Sequence, residues 1–200
     1  MRNDQHVDAE AIEVDDISGM FFDYQPTLRG ELVELRPLRS DDQADLYAVA
    51  ADPLIWEQHP DKTRHEEAGF AEFFRESLAS GGALLAADAA SHRAIGSSRF
   101  YGYSEERSEV EIGWTFLARS HWGGAFNGEL KQLMLRHAFR FVSSMVLLVS
   151  PENIRSQRAV CKIGGLLEAD RDAAGRLVYR VTSSWFSRCD GKPLNGAARA

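Results

Sequence analysis

A short alternating segment carries two carboxylates that could act as bases. Glu109 and Glu111 are one residue apart, so a strand through them places both acids on one face. The other face then holds the apolar residues of the segment, namely Val110, Ile112, Trp114 and Phe116. A carboxylate on a polar strand face can take a proton from an amine, directly or through water. Glu111, with Glu109 in reserve, is therefore a candidate general base, while a solvated strand face without chemistry is the alternative.

A glycine-rich loop follows this strand and leads directly into a helix. Gly123 and Gly124 let the backbone approach a ligand closely, and a helix N-terminus offers unpaired N–H groups and a positive dipole. The residues concerned are Trp122, Gly123, Gly124, Ala125, Phe126 and Asn127. Two interpretations stay open: a pyrophosphate site, or a tight turn that needs glycine for backbone reasons alone. Trp122 either flanks the loop or fills the core.

The elements that would position these residues indicate a mixed α/β fold. Strands are predicted over 31–38, 83–88, 94–103, 109–117, 145–150, 166–169 and 176–184. Helices are predicted over 40–50, 63–79, 125–141 and 153–163. The first two begin at capping boxes. The third has a continuous apolar stripe, formed by Leu130, Leu133, Met134, His137, Ala138 and Phe141.

The composition excludes several classes of protein. A chain of 200 residues fits one domain, and its net charge of −7 argues against nucleic acid as a partner. No apolar run reaches the roughly 18 residues of a membrane span, so no membrane association is expected. Cys161 and Cys189 form no metal-binding pattern. We therefore expect a cytoplasmic protein without a metal.

The two ends of the chain fall outside the pattern of helices and strands. Residues 1–27 are acidic and lack sustained periodicity, which predicts a partly mobile tail. Met20, Phe21 and Phe22 could dock on the domain or on a partner subunit, so a homodimer is compatible with the sequence. Residues 28–188 form the predicted domain, and residues 189–200 form a C-terminal tail.

Three segments resemble the GNAT superfamily of acyl-CoA-dependent N-acyltransferases, and more narrowly its ribosomal-protein N-terminal acetyltransferase branch. They are Leu32–Leu38, then Glu111–Trp114 with Trp122–Glu129, then Asn153–Ser156 with Lys162–Gly165. Together they span most of the chain in the order that the family shows. The resemblance implies a central, mostly antiparallel mixed sheet of about seven strands, flanked by about four helices.

The same resemblance implies an activity and roles for several residues. Acetyl-CoA would bind at the glycine loop, and a primary amine, on a small molecule or a protein N-terminus, would attack its thioester directly. In this family a glutamate on the strand of Glu111 often serves as the base. The family also implies that Asn153 contacts the pantetheine arm and that Ser156 binds the cofactor or protonates the thiolate. From residue type alone, Asn153 is equally a preferred helix N-cap.

The chain departs from the family at two positions that bear on function. Val160 stands where many members carry a tyrosine general acid, and Ser120 replaces the usual basic or amide residue of the loop. A catalytically silent acyl-CoA-binding sensor or scaffold is therefore the alternative to an N-acetyltransferase. A nucleotide site of the P-loop type is disfavoured, because the sequence has no Gly-Lys-Ser/Thr after the glycines.

Overall fold

The computed structural model describes residues 21–171 and 173–189. Its strands are β1 (Leu28–Arg29), β2 (Val33–Pro37), β3 (Ala83–Asp88), β4 (Ala94–Ser104), β5 (Glu109–Leu117), β6 (Ser144–Val149), β7 (Leu166–Leu167) and β8 (Leu177–Thr182). Its α-helices are α1 (Gln43–Ala50), α2 (Glu67–Ala79), α3 (Ala125–Ala138), α4 (Ile154–Lys162) and α5 (Ser183–Cys189). In this part of the chain one sheet contains eight strands in the order β1-β2-β3-β4-β5-β6-β8-β7. The predicted mixed α/β class is confirmed.

The sheet opens between β5 and β6. These two strands run parallel, whereas the other neighbouring pairs of the described sheet are antiparallel. They pair only where Glu109–Glu111 lies against Ser144–Val146. Further along, β5 stays with β4 and β6 stays with β8, so the two strands separate towards their C-terminal ends. Ligands of open sheets collect at such a point, because loops and helix N-termini converge there.

A bulge in β5 interrupts the alternation of its side chains. The register with β4 shifts between the pairs Arg99–Gly113 and Ser97–Phe116. Within this shift Trp114 adopts a positive φ of 52°, a conformation that costs an ordinary L residue about 1–3 kcal/mol. An extra residue in one strand turns the following side chains to the opposite face.

The hydrophobic core lies in two clusters on the two faces of the sheet. One cluster packs against α3 and includes Val110 and Ile112. The other packs against α1 and α2, and it includes Phe116, with Trp114 at its edge. The expectation that these four residues share one face is therefore wrong, because the bulge separates the first two from the last two.

Several elements differ from the prediction. The described sheet has eight strands rather than about seven, since the two-residue strand β1 has no periodicity that a sequence could show. Ser183 begins α5 where the sequence predicts that a strand continues to Ser184. Helices α1 and α2 begin at Gln43 and Glu67, each after a 3-10 turn, at Ser40–Asp42 and Thr63–His65, so neither predicted capping box opens its α-helix.

The segment before β1 packs on the domain. Residues 1–20, most of the predicted tail, lie outside the described residues, but Phe22 is buried against the rings of Phe141 and His137. The Nε2 atom of His137 lies 2.7 Å from the carbonyl oxygen of Asp23. Of the two predicted docking surfaces for Phe22, the domain is the one observed. The predicted C-terminal tail lies almost entirely beyond the described residues.

Candidate active site

Strand β5 leads the chain to an open glycine turn. Gly123 has a φ of +71°, and Gly124 is the N-cap of α3 without a side-chain cap. A Cβ atom at either glycine would meet nothing within 4 Å. The first N–H groups of α3, on Ala125, Phe126 and Asn127, have no acceptor within their own helix. This open cradle of backbone donors fits a pyrophosphate, and the contact itself stays a prediction.

Trp122 supports the turn from the protein side. Its indole N–H donates to the carbonyl oxygen of Leu117 at 2.8 Å, and its ring packs against both hydrophobic clusters. The guanidinium carbon of Arg155 lies 4.1 Å from the centre of this ring. Arg155 also donates to the carbonyl oxygen of Ile55 at 2.8 Å. Of the two interpretations of Trp122, these contacts favour core packing, and a contact with the cofactor stays a prediction.

Glu129 connects α3 to the start of β2. Its carboxylate accepts hydrogen bonds from the backbone N–H groups of Glu31, Leu32 and Val33 at 2.9, 2.7 and 2.7 Å. The same carboxylate fills the space that a side chain at Gly30 would need, because its Cδ atom lies 2.5 Å from the Cβ position there. A negative charge close to the glycine turn is thereby stabilised by three donors inside the fold.

Asn153 caps α4 at the end of the opening between β5 and β6. Its Oδ1 atom accepts from the backbone N–H of Ser156 at 3.0 Å, and the side chain is buried. The cap predicted from residue type is confirmed. Ser156 is half-buried in the first turn of α4, three residues after the Asn153 cap. The contacts of Asn153 and Ser156 with a cofactor stay predictions.

Glu111 lies in a cleft of about 580 Å³. The walls of the cleft include Glu76, Ser80, Arg99, Tyr101, Trp114 and Arg176. The Glu111 carboxylate leans over Gly113, since its Oε1 atom is 3.2 Å from the Cβ position there. Burial raises the pKa of Glu111, and the positive charges of Arg176 and Arg99 oppose part of this rise. A carboxylate with a raised pKa is better matched to accepting a proton from an amine.

Glu109 occupies a different environment, although it is two residues away. Its side chain is only 2% exposed. It accepts two hydrogen bonds from Arg171, at 2.7 and 2.9 Å, and one each from Arg107 and Arg180, at 2.7 and 2.9 Å. The hydrogen bonds from Arg171, with those from Arg107 and Arg180, lower the pKa of Glu109 to about 2. A solvated position for Glu109 is therefore not observed, and its role as a reserve base is disfavoured, because both of its oxygens accept hydrogen bonds from arginines.

Two buried cations are missed by reasoning from sequence. The Nζ atom of Lys131 donates to Thr115 Oγ1 at 2.6 Å, and that oxygen lies 2.7 Å from Ser98 Oγ. Burial lowers the pKa of Lys131 to about 7. Arg99 lies in the Glu111 cleft and is also buried. Neither has a sequence signal, since charged residues at the edge of an apolar pattern usually extend into water.

Strand β5 connects two parts of the candidate site along the chain. It carries Glu111 and forms one side of the opening in the sheet, and a 3-10 turn at Arg119–His121 follows it and leads to the glycine turn. Residues 33–165, about two thirds of the chain, match the family model described as the acetyltransferase (GNAT) domain. The chain belongs to the GNAT acetyltransferase family. Its members transfer acyl groups from acyl-CoA, and the open turn at Gly123 and Gly124 fits the pyrophosphate of such a donor.

Solved structures of other GNAT proteins share this fold. A GCN5-related N-acetyltransferase from Brucella melitensis is 18% identical, with a TM-score of 0.71 over 82% of this chain and 81% of that one. An acetyltransferase from Agrobacterium tumefaciens is 27% identical, with a TM-score of 0.63 over 81% and 96%. Mycobacterium smegmatis RimJ, solved in complex with CoA-disulfide, is 18% identical, with a TM-score of 0.60 over 76% and 83%.

Neither a match to a curated protein nor, among the described residues, a membrane-spanning helix was found. None of the curated proteins compared with the chain matches it by sequence. No helix in the described part of this GNAT protein is long and apolar enough to cross a membrane.

Proposed function

We propose that this GNAT protein transfers an acetyl group from acetyl-CoA to a primary amine. The observation that carries the proposal is the arrangement of β5. This strand holds the Glu111 carboxylate in a cleft, and a 3-10 turn at Arg119–His121 connects the strand to the open turn at Gly123 and Gly124. A base on β5 and a phosphate cradle after it would hold the acceptor and the donor in one protein, which favours direct transfer between two bound reactants.

The donor would be held by backbone groups and by α4. The N–H groups from Gly123 to Asn127 would bind the pyrophosphate. The pantetheine arm would enter the opening between β5 and β6, where Asn153 and Ser156 follow the end of β6. When bound, acetyl-CoA supplies an activated thioester, so the protein needs no metal to polarise the carbonyl group.

Glu111 would prepare the acceptor for attack. Its carboxylate takes a proton from the ammonium form of the acceptor, directly or through one water, and the free amine then attacks the thioester carbon. Beyond Glu111 the backbone of β5 has no strand partner on the β6 side within the described sheet. Its N–H groups there would stabilise the developing oxyanion. The Ser156 hydroxyl would donate a hydrogen bond to the departing thiolate.

One observation favours a second candidate function. Val160, at the family's tyrosine position, is buried in the core and offers no proton to a leaving group. A protein that binds acyl-CoA without turnover would need no such acid. We regard turnover as the stronger proposal, because a sensor would gain nothing from an unpaired carboxylate with a raised pKa in the cleft.

Release of free thiol from acetyl-CoA tests the proposal. The purified protein would be mixed with acetyl-CoA and, one at a time, free amino acids, polyamines and peptides with free N-termini. We expect thiol release that depends on at least one amine and on Glu111. CoA binding in calorimetry without thiol release by any amine would contradict the proposal and support the sensor.

A further inference from the structure

Arg99 is a buried cation with unsatisfied hydrogen-bonding capacity. Its side chain is 5% exposed and lines the Glu111 cleft. One terminal nitrogen, Nη2, donates to Ser77 Oγ at 2.6 Å, and the guanidinium carbon lies 4.4 Å from the centre of the Trp114 ring. The buried Nε–H group has no hydrogen-bond partner in the part of the chain that the structure describes.

No described carboxylate neutralises this charge. Glu76 and Glu111 are close enough to raise the pKa of Arg99 electrostatically, but burial lowers it more, and neither forms an ion pair with the guanidinium. A buried charge without a counter-ion is unfavourable, and folds usually pair such groups, as the arginines around Glu109 are paired. An anion that enters the cleft would supply the missing partner.

The positions of Glu111 and Arg99 limit what that anion can be attached to. Arg99 pairs with Gly113 across β4 and β5, and Tyr101 pairs with Glu111. Glu111 and Arg99 are thus diagonal neighbours on one face, at a typical separation of about 7 Å between Cβ atoms. Because Gly113 has no side chain, the Glu111 carboxylate leans into the space in front of it. The cleft therefore presents a base and an unpaired guanidinium side by side.

Such a pair is complementary to a molecule with an amine and a carboxylate on the same or adjacent carbons. We propose that the acceptor of this acetyltransferase is a free amino acid, whose amine faces Glu111 and whose carboxylate is bound by Arg99. The exposed Arg176 at the cleft would assist in binding the carboxylate. The edge-on pair Tyr101 and Trp114, with ring centres 5.5 Å apart, would form the wall for the amino acid side chain.

The inference rests on the proposed function and specifies its chemistry. Glu111 takes a proton from the ammonium group, a C–N bond forms to the acetyl carbon, and the C–S bond of the thioester breaks. The nitrogen loses its second proton after the attack, and the sulfur leaves as a thiolate that takes up a proton, so the products are an N-acetyl amino acid and free CoA. A peptide N-terminus has no carboxylate at this position and would leave Arg99 unpaired.

Binding measurements test the inference without requiring turnover. The protein, saturated with CoA, would be titrated in a calorimeter with glycine, methionine and phenylalanine, each compared with its own carboxamide. We expect at least one amino acid to bind at least 10-fold more tightly than its amide. Arg99→Gln should abolish this preference, Arg176→Gln should reduce it several-fold, and Arg75→Gln, an exposed arginine on α2, should leave it unchanged.

Each result has a defined consequence. If no amino acid binds, or if acids and amides bind equally well to the wild-type protein, the inference is overturned. A preference that persists in a folded Arg99→Gln protein overturns the role of Arg99. If that variant does not fold, Arg99→Lys replaces it, since lysine keeps the charge but loses the planar fork, and the preference should fall. Thiol release with carboxylate-free amines alone would overturn the inference while leaving the proposed function intact.

Discussion

Glu109 and Glu111 begin the same strand and point to the same side of it, yet they have opposite surroundings. Glu109 is enclosed by Arg107, Arg171 and Arg180, and its pKa is lowered to about 2. Glu111 faces a cleft and forms no ion pair with any residue that the structure describes, and burial raises its pKa. An alternating sequence cannot distinguish these two cases, because residues from β8 and the segment before it supply two of the three arginines.

This difference in surroundings distinguishes a carboxylate that stabilises the fold from one that is available for a reaction. A carboxylate that accepts four charge-assisted hydrogen bonds stabilises the fold and has no capacity left for a substrate. A desolvated carboxylate without a partner destabilises the fold slightly but is available to accept a proton. The comparison can be tested by replacing each carboxylate with its uncharged isostere and measuring stability and turnover for both.

The largest expected effect is on stability, from Glu109→Gln. The variant leaves three arginines around a neutral amide, and we expect the free energy of unfolding to fall by about 3 kcal/mol. Denaturant unfolding measures this change, with Glu106→Gln in the exposed turn before β5 as the control. A Glu109→Gln protein as stable as the control would contradict the structural role.

The stabilisation by Glu109 should also depend on pH. Its pKa of about 2 in the folded protein is below the ordinary 4.5, so the folded state favours the ionised form. The contribution is complete above pH 4.5 and is lost as the pH falls from 4.5 towards 2. The free energy of unfolding of Glu109→Gln should therefore change less with pH in this range than that of the wild type.

The next largest effect is on turnover, from Glu111→Gln. We expect kcat to fall by about 100-fold, because the amine loses its proton acceptor, while the melting temperature stays the same or rises. In the wild type, kcat/KM should decline on the acid side with a pKa above 4.5, and the variant should lose this decline. If kcat and its pH profile are unchanged, solvent rather than Glu111 accepts the proton.

Lys131 is a buried cation, and its effect on stability can be tested in the same way as that of the two carboxylates. Its pKa of about 7 in the folded protein is below the ordinary 10.5, so the unfolded chain binds more protons between these values and stability rises with pH. We expect Lys131→Met to stabilise the protein by about 2 kcal/mol at pH 7, and by less as the pH approaches 10. The exposed Lys162→Met is the matched control. A pH-independent difference would show that Lys131 is not desolvated.

The smallest expected effect is that of Ser156→Ala. Its backbone N–H keeps the Asn153 cap, so the melting temperature should change little. Loss of one hydrogen bond to the thiolate should lower kcat by about 5- to 10-fold. Intact values of both kinetic constants would reduce Ser156 to a surface residue of α4.

Most of the fold can be predicted from the sequence, because the strong periodicity of its central elements and the glycines at their ends mark where each element begins and ends. Strands β3 and β5 have the predicted limits, and the apolar stripe of α3 is buried as expected from Leu130 to Ala138, where the helix ends three residues earlier than predicted and leaves the half-buried Phe141 outside it. The bulge at Trp114 could not be predicted from the sequence, since positions with a positive φ are usually occupied by glycine, asparagine or aspartate.

The candidate site was accessible only in part. The glycine turn and Glu111 follow from local patterns, because both depend on neighbours along the chain. The unpaired Arg99 and the clamped Glu109 depend on contacts between β4, β5 and the segment around β8, which no local pattern records. The sequence therefore identifies which side chains have suitable chemistry, and the contacts in the fold determine which of them remain available to a substrate.

A substitution at Gly30 could change cofactor affinity without altering the glycine turn itself. Any side chain there would displace the Glu129 carboxylate, which would lose its three backbone donors at the start of β2. The displaced charge would remain on α3, whose N-terminus is the proposed site for the phosphates of the donor. With CoA bound at the turn as proposed, a mutational scan would register the half-buried Gly30 as a position that changes CoA affinity through Glu129.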